Sequence, residues 1–334
     1  MTLTAKQATD VYHKAVVIDG LNVSNWDSPA VYKSLNAGHV TAINATIAVF
    51  ENFTQEMDKI ARWNQRLASD DSLIQIRSAC DIQNAKTHNQ TGVIFGWQNA
   101  SPLGNNLDRL VLFHHLGVRI IQLTYNERNL LGNGCWERND DGLSTFGVDA
   151  IREMNRLGIL IDLSHVGDVT TIESIELSDQ PVSCTHSNSR SFFDHPRNKT
   201  DEALRLISEK GGVIGATSWP PFLRNGFKST LTDFGDAIDD MVERVGIDHV
   251  GIGSDYTQNQ PKEWFDILMS FQGTKFNPRR LEYPETVTHT AGLETPDMLP
   301  NVAIELARRG YRAEDILKVI GGNWLRLFNE VWRN

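Results

Sequence analysis

The chain has 334 residues, of which 40% are hydrophobic and 22% are charged. This composition is typical of globular proteins, and the length suits one large barrel or two small domains. The net charge is −10 without any Lys/Arg-rich stretch, so nucleic acid is not an expected partner. The sequence shows neither an apolar stretch of about 20 residues, as a membrane span needs, nor a signal-peptide pattern. We therefore predict a cytoplasmic protein without a membrane partner.

Eight short apolar runs predict the strands of a buried parallel sheet, because they are β-branched and apolar on both faces. They cover residues 16–21, 41–49, 91–98, 119–125, 160–165, 181–186, 211–217 and 249–255. Amphipathic helical patterns lie between several of them, at 107–117, 148–158, 200–211 and 232–246. Strand and helix therefore alternate along the chain.

Eight alternating units at this length predict an α/β fold, a (β/α)8 TIM barrel in one domain over residues 1–334. The alternative is an open doubly wound sheet, which usually carries a Gly-rich phosphate turn after its first strand. The segment that follows the first run here, at 18–26, is not such a turn. Residues 257–300 are irregular and aromatic, which predicts an insertion or lid after the last strand. The C-terminal segment predicts helices that close the barrel.

Two of the runs end in histidines, His165 and His186, and the last run ends in Asp255. Because barrel enzymes place their chemistry at the C-terminal ends of the strands, these side chains should meet at the barrel mouth. Neutral imidazole is the commonest metal ligand, and a nearby carboxylate can accept a proton from water. The alternatives are hydrogen-bonded core histidines and an aspartate that caps a helix or forms a salt bridge. Metal-assisted hydrolysis is the function that this pattern favours.

Three segments, at 123–167, 181–215 and 249–258, strongly resemble the membrane (renal) dipeptidase family, the M19 metallopeptidases. The resemblance implies a (β/α)8 barrel of the amidohydrolase type and a homo-oligomer. It also implies a site with two zinc ions that cleaves dipeptides, including some with a D-residue or a dehydro-residue in second position.

The sequence departs from the family pattern at the first metal site. Leu21 and Val23 stand where the family has a His-x-Asp pair after the first strand, and neither offers a donor atom. Gln98 replaces the bridging glutamate, and Tyr125 replaces a histidine near the substrate. The chain thus resembles a divergent bacterial branch of the family that lacks the first metal site, and we expect ordinary L-dipeptides to be poor substrates.

The remaining family positions match. His165 and His186 correspond to the ligands of the second metal, Asp255 to the strand-eight aspartate, and Arg197 to the arginine that binds substrate. The resemblance therefore implies one divalent ion, zinc, on His165, His186 and Gln98.

Around this ion we predict a site for a small substrate that bears a carboxylate. Asp255 and Tyr125 are the predicted catalytic residues, and Arg197, Asn22, Asn126 and Trp219 the predicted substrate-binding residues. Cys135 is either a further ligand or a small buried side chain.

The predicted reaction is hydrolysis of an amide, dipeptide-like bond. Two alternatives stay open on the same scaffold. One is a lyase or demethylase-like step on a modified amino acid, since a fold does not fix a reaction. The other is a binding protein that has lost its chemistry.

Overall fold

The computed structural model describes residues 3–276 and 283–332. Its main sheet is wholly parallel, in the order β2-β1-β9-β8-β7-β6-β5-β4-β3, and β2 also pairs with β4. That second pairing closes eight of the strands into a barrel, as predicted. The strands are β1 Ile18–Asn22, β2 Ala42–Ala48, β3 Leu73–Gln75, β4 Thr91–Trp97, β5 Val118–Gln122, β6 Leu160–Asp162, β7 Ser183–Cys184, β8 Val213–Ala216 and β9 Val250–Ile252.

Helices surround the barrel, and all four helical patterns read from the sequence form helices. None of the described helices is long and apolar enough to cross a membrane. The helices are α1 Ala5–Lys14, α2 Pro29–Ala37, α3 Phe53–Ser69, α4 Ala79–Thr87, α5 Asp108–His115, α6 Thr145–Leu157, α7 Asp168–Leu177, α8 Asp201–Glu209, α9 Leu231–Val245, α10 Lys262–Leu268, α11 Pro300–Arg308, α12 Ala313–Leu317 and α13 Asn323–Val331.

One strand of the sheet, β3, was not predicted. It pairs with the first part of β4, Leu73 opposite Thr91, whereas β5 pairs with the last part, Phe95 opposite Val118. Three residues are too few to show a strand period in the sequence. The short hairpin of β10 (Ser270–Phe271) and β11 (Lys275–Phe276) was also not predicted.

The strands that carry the predicted histidines are shorter than expected. The run at 160–165 is a strand only as far as Asp162, because the Asp162 carboxylate accepts hydrogen bonds from the backbone N–H groups of Ser164, at 3.0 Å, and Thr185, at 2.9 Å. These bonds turn the chain, so His165 lies in the loop beyond the strand end. The run at 181–186 likewise forms a strand only over Ser183–Cys184.

The last strand approaches the histidine-bearing loop very closely. A Cβ atom on Gly253 would lie 1.8 Å from the carbonyl oxygen of Thr185, so only glycine fits there. The contact brings the Asp255 turn next to the loop that carries His186.

The segment after β9 contains α10 and the β10–β11 hairpin, and residues 277–282 of the predicted lid lie outside the described residues. At the C-terminus, Trp324 of α13 is fully buried and its indole N–H donates to the carbonyl of Ile252 at 3.0 Å.

Candidate active site

His165 and His186 face each other at the C-terminal end of the barrel. Their Nε2 atoms are 3.0 Å apart, and both side chains are buried. The two rings therefore meet at the barrel mouth, as expected from the sequence, since loops after adjacent strands carry them.

Hydrogen bonds on the far side of each ring assign its proton. His165 Nδ1 lies 2.7 Å from Asn126 Oδ1, an acceptor, so Nδ1 carries the hydrogen. His186 Nδ1 lies 2.8 Å from Thr185 Oγ1. The Thr185 hydroxyl donates its only hydrogen to Asp162 Oδ2 at 2.6 Å and must therefore accept from His186. Both Nε2 atoms therefore carry no hydrogen, and their lone pairs face each other.

Facing lone pairs repel unless a positive charge lies between them. A shared proton does not supply this positive charge at neutral pH. Burial, and next the charge of Arg197, lower the pKa of both histidines well below the usual value. A metal cation fits. Two ligands of tetrahedral zinc, at ~2.0–2.1 Å each, lie roughly 3.3 Å apart. The supporting bonds from Asn126 and Thr185 are of the kind that orient metal-bound imidazoles.

Within residues 3–276 and 283–332, no third strong ligand stands beside the histidine pair. Among the described residues, no group of three or more His, Cys, Asp or Glu side chains is placed to hold a metal. Gln98 lines the same cavity, and its amide nitrogen donates to Thr46 Oγ1 at 3.1 Å. Since catalytic zinc usually has three protein ligands, these residues fit one ion, held more weakly than in a three-ligand site.

Asp255 lies in a turn just beyond β9 with a φ of +58°, a left-handed conformation that aspartate tolerates better than most residues. This turn brings its carboxyl group to the cavity. Burial raises the pKa of Asp255 to about 7, although the positive charge of Arg197 opposes the shift. The carboxyl group is therefore set to exchange a proton near neutral pH.

Arg197 is almost fully buried and is bonded to both histidine loops. Its Nη1 donates to the carbonyl of Ser164, and its Nη2 donates to the carbonyl of His186 at 2.8 Å. Its Nε has no hydrogen-bond partner among the described residues, although it is buried. The guanidinium thus positions the loops and also offers one unsatisfied N–H donor, which suits a ligand carboxylate.

One cavity contains most of the predicted residues. Its free space is about 30 Å³, which holds roughly two water molecules. The lining includes Gln98, Tyr125, Asn126, His165, Arg197, Trp219 and Asp255, together with Val23, Trp136, Phe222, Thr257, Trp264, Phe265, Leu268, Met269 and Tyr283. Tyr125 stacks on His165 with ring centroids 4.1 Å apart.

Asn22 is not brought to this cavity. Its amide nitrogen donates to Asp19 Oδ2 at 3.3 Å, and its amide oxygen accepts from the backbone of Ser24 at 3.1 Å, so the side chain stabilises the turn after β1. Asn126 is in the cavity, but its carboxamide oxygen is used by His165. Cys135 lies behind it, with its sulfur 3.6 Å from the same oxygen.

Sequence reasoning missed two groups of residues. The first is the supporting pair Asp162 and Thr185, which precede the histidines by three residues and one residue and could have been read as orienting groups. The second is the aromatic wall of Trp264, Phe265 and Tyr283, which comes from the irregular segment after β9 and has no motif.

The sequence is similar to those of known dipeptidases. The sequence profile of the membrane dipeptidase family, peptidase family M19, matches residues 6–270. The chain is 30% identical over 265 residues to the dipeptidase tcpJ of Claviceps purpurea and 28% identical over 267 residues to the dipeptidase aclJ of Aspergillus oryzae. Each alignment covers 78% of this chain but only 56% and 57% of the relative, so the chain spans little more than half their length.

Solved structures agree as well. An amidohydrolase from Pseudomonas aeruginosa is 36% identical with a TM-score of 0.93 and 99% coverage of both chains. A metallo peptidase from Rhodobacter sphaeroides, liganded with a phosphinate mimic of L-Ala-D-Ala, shares the fold at 22% identity and a TM-score of 0.78, with 95% of this chain and 99% of that chain covered. From the family match over most of its length, the chain belongs to the membrane dipeptidase family, peptidase family M19.

Proposed function

We propose that the protein is a metal-dependent hydrolase that cleaves an amide, dipeptide-like bond in a small substrate bearing a carboxylate. The observation that carries the proposal is the pair of Nε2 lone pairs, on His165 and His186, that face each other at 3.0 Å. Arg197 and Asp255 line the same cavity as His165. Family membership and relatives named as dipeptidases support it.

His165 and His186 would hold one divalent ion, zinc, with the neutral amide oxygen of Gln98 as a weak further ligand. When bound, such an ion supplies Lewis acidity toward a carbonyl oxygen and acidifies water. Asn126 and Thr185 keep the two imidazoles in the tautomer that presents Nε2.

The chain's own groups supply the remaining chemistry. Asp255 accepts the proton of the attacking water and returns it to the leaving amine. Arg197 donates its free Nε–H to the substrate carboxylate. Tyr125 stays protonated, because burial raises the pKa of its hydroxyl well above the usual value, and can donate to a developing oxyanion. Trp219 packs against the substrate.

We also propose that the segment after β9 acts as a lid. Trp264, Phe265 and Tyr283 from this segment line the cavity, whose free space is about 30 Å³. A ligand of dipeptide size therefore enters only when these side chains move away. A homo-oligomeric state and a cytoplasmic location stay predictions from the sequence.

The test is the metal content of the purified protein, followed by hydrolysis of a dipeptide panel that includes L-Ala-L-Ala and L-Ala-D-Ala. We expect one zinc per chain and slow or absent turnover of L-Ala-L-Ala. A protein that binds no zinc and hydrolyses nothing in the panel would contradict the proposal.

A further inference from the structure

The candidate cavity is lined by the three rings of the aromatic wall, Trp264, Phe265 and Tyr283, and by the neighbouring ring of Trp219. Trp219, Phe265 and Tyr283 form a cluster, with ring centroids 6.1 Å apart for Trp219 and Phe265 and 5.1 Å apart for Phe265 and Tyr283. Trp264 packs edge-on against Phe265 at 5.1 Å. All four rings line the cavity, together with Phe222.

Asp255 is the one acidic side chain among the described residues that line this cavity. No group within residues 3–276 and 283–332 donates a hydrogen bond to its carboxylate, and Arg197, whose charge acts on it, is bonded to the histidine loops instead. Burying a carboxylate without a hydrogen-bond donor costs free energy. A cation that enters the cavity is attracted to this carboxylate and offsets part of that cost.

The type of cation follows from the hydrogen-bonding capacity of the wall. A primary ammonium carries three N–H donors, each of which needs an acceptor once it leaves water. Aromatic faces provide few such acceptors but attract a cation through their quadrupoles. An N-alkylated ammonium keeps its charge and has few or no N–H groups. It therefore loses the fewest hydrogen bonds to water when it enters the cavity.

We propose that the substrate carries a permanently cationic, N-alkylated ammonium group, which binds against Trp219, Phe265 and Tyr283 with Asp255 as its counter-charge. The substrate carboxylate then binds Arg197 Nε, and this part of the inference rests on the proposed function. Because the free space of the cavity is only about 30 Å³, this group also enters only when the side chains of the lid segment move away.

Three small carboxylates test this inference by calorimetric titration of the zinc-loaded full chain. Trimethylglycine carries the quaternary ammonium, 3,3-dimethylbutanoate is its isostere with a neutral carbon in place of the cationic nitrogen, and free glycine carries a primary ammonium. We expect trimethylglycine to bind at least about tenfold more tightly than either of the others. Equal or tighter binding of 3,3-dimethylbutanoate overturns the inference, and so does an absence of binding by all three.

Zinc content and dipeptide hydrolysis are measured on the same preparation. A protein that contains zinc and hydrolyses peptides but shows no preference for trimethylglycine retains the proposed function and loses only this inference. A protein that prefers trimethylglycine but lacks zinc and hydrolysis retains the inference and loses the proposed function.

Variants of the aromatic residues test whether these rings cause the preference for trimethylglycine. Trp219→Leu and Tyr283→Leu should each reduce the preference for trimethylglycine over its isostere to about threefold or less. Phe271→Leu is the control, because Phe271 belongs to the same segment but is 44% exposed and outside the cavity lining. A preference that survives both cavity variants, once circular dichroism shows them folded, contradicts the assignment.

Discussion

His165 and His186 present their Nε2 lone pairs to each other across 3.0 Å, while the Nδ1 atom of each ring is bonded to a different partner. Neither Nε2 atom has another hydrogen-bond partner among the described residues. The first experiments therefore test this pair as the metal site.

The first prediction concerns zinc affinity. His186→Gln should reduce zinc affinity by more than the ~10–100-fold that loss of a supporting hydrogen bond costs, because it removes a ligand itself. Zinc is measured by competition with a chromophoric chelator. His88→Gln, on the exposed end of α4, is the control and should leave affinity unchanged. Equal affinities in the two variants would mean that the pair is not the metal site.

Thr185→Val tests the supporting hydroxyl with almost no change in shape. Valine cannot accept from His186 Nδ1 or donate to Asp162, so the ring loses the bond that presents Nε2. We expect zinc affinity to fall by about 10–100-fold. Thr185→Ser keeps the hydroxyl and should retain most of the affinity. If Ser and Val lower it equally, the hydroxyl has no part in orienting His186.

Restoring the family's first-site residues should restore a second ion. Leu21→His combined with Val23→Asp introduces an imidazole near the end of β1 and a carboxylate just beyond it, where Val23 already lines the cavity. We expect the zinc content, measured by atomic emission, to rise from one to two per chain. The control pair, Leu21→Gln with Val23→Asn, adds polarity without strong ligands and should stay at one.

Arg197→Lys should affect folding as well as binding, because the Arg197 side chain is bonded to both histidine loops. The guanidinium donates to the carbonyls of Ser164 and His186, and an ammonium cannot keep both bonds and the free Nε–H. We expect a loss of about 1.5–3 kcal/mol in the free energy of unfolding, from urea denaturation. Unchanged stability with weakened carboxylate binding would assign Arg197 to the substrate alone.

The Asp255 carboxyl group should make stability fall as pH rises. Its pKa is about 7 in the folded protein, raised by burial, against about 3.9 unfolded. Between these values the folded state holds a proton that the unfolded state has released, so this contribution is full below pH 4 and lost by about pH 7. Asp255→Asn should remove this dependence from metal-free protein in urea titrations, and Asp58→Asn, an exposed site on α3, should not.

Much of the barrel could be predicted from the sequence because its strands are buried on both faces and read as continuous apolar runs. The run that ends at Val49 and the run that begins at Thr91 both proved to be strands of the closed sheet. Strand ends were predicted poorly, since Asp162 bonds to the backbone of Thr185, 23 residues away, and no local pattern reveals that bond.

From the strand pattern, the candidate site could be predicted where residues lie within three residues of a strand end. His165, His186 and Asp255 do so, and the structure brings them to the same end of the barrel. Asn22 is the last residue of β1, but its side chain turns back to Asp19 because that buried carboxylate needs donors. The wall of Trp264 and Tyr283 depends on how an irregular segment packs over the barrel, which periodicity cannot show.

The position of Arg197 has a consequence for the order in which ligands bind. Burial, and after it the charge of Arg197, lowers the pKa of both histidines, and the same positive charge opposes a metal ion between them. A carboxylate on Nε would neutralise that field, so zinc and an anionic ligand should bind with positive cooperativity. Linkage requires that each raise the affinity of the other by the same factor. In the cell, the anionic ligand would then recruit the metal ion as much as the metal ion recruits the ligand.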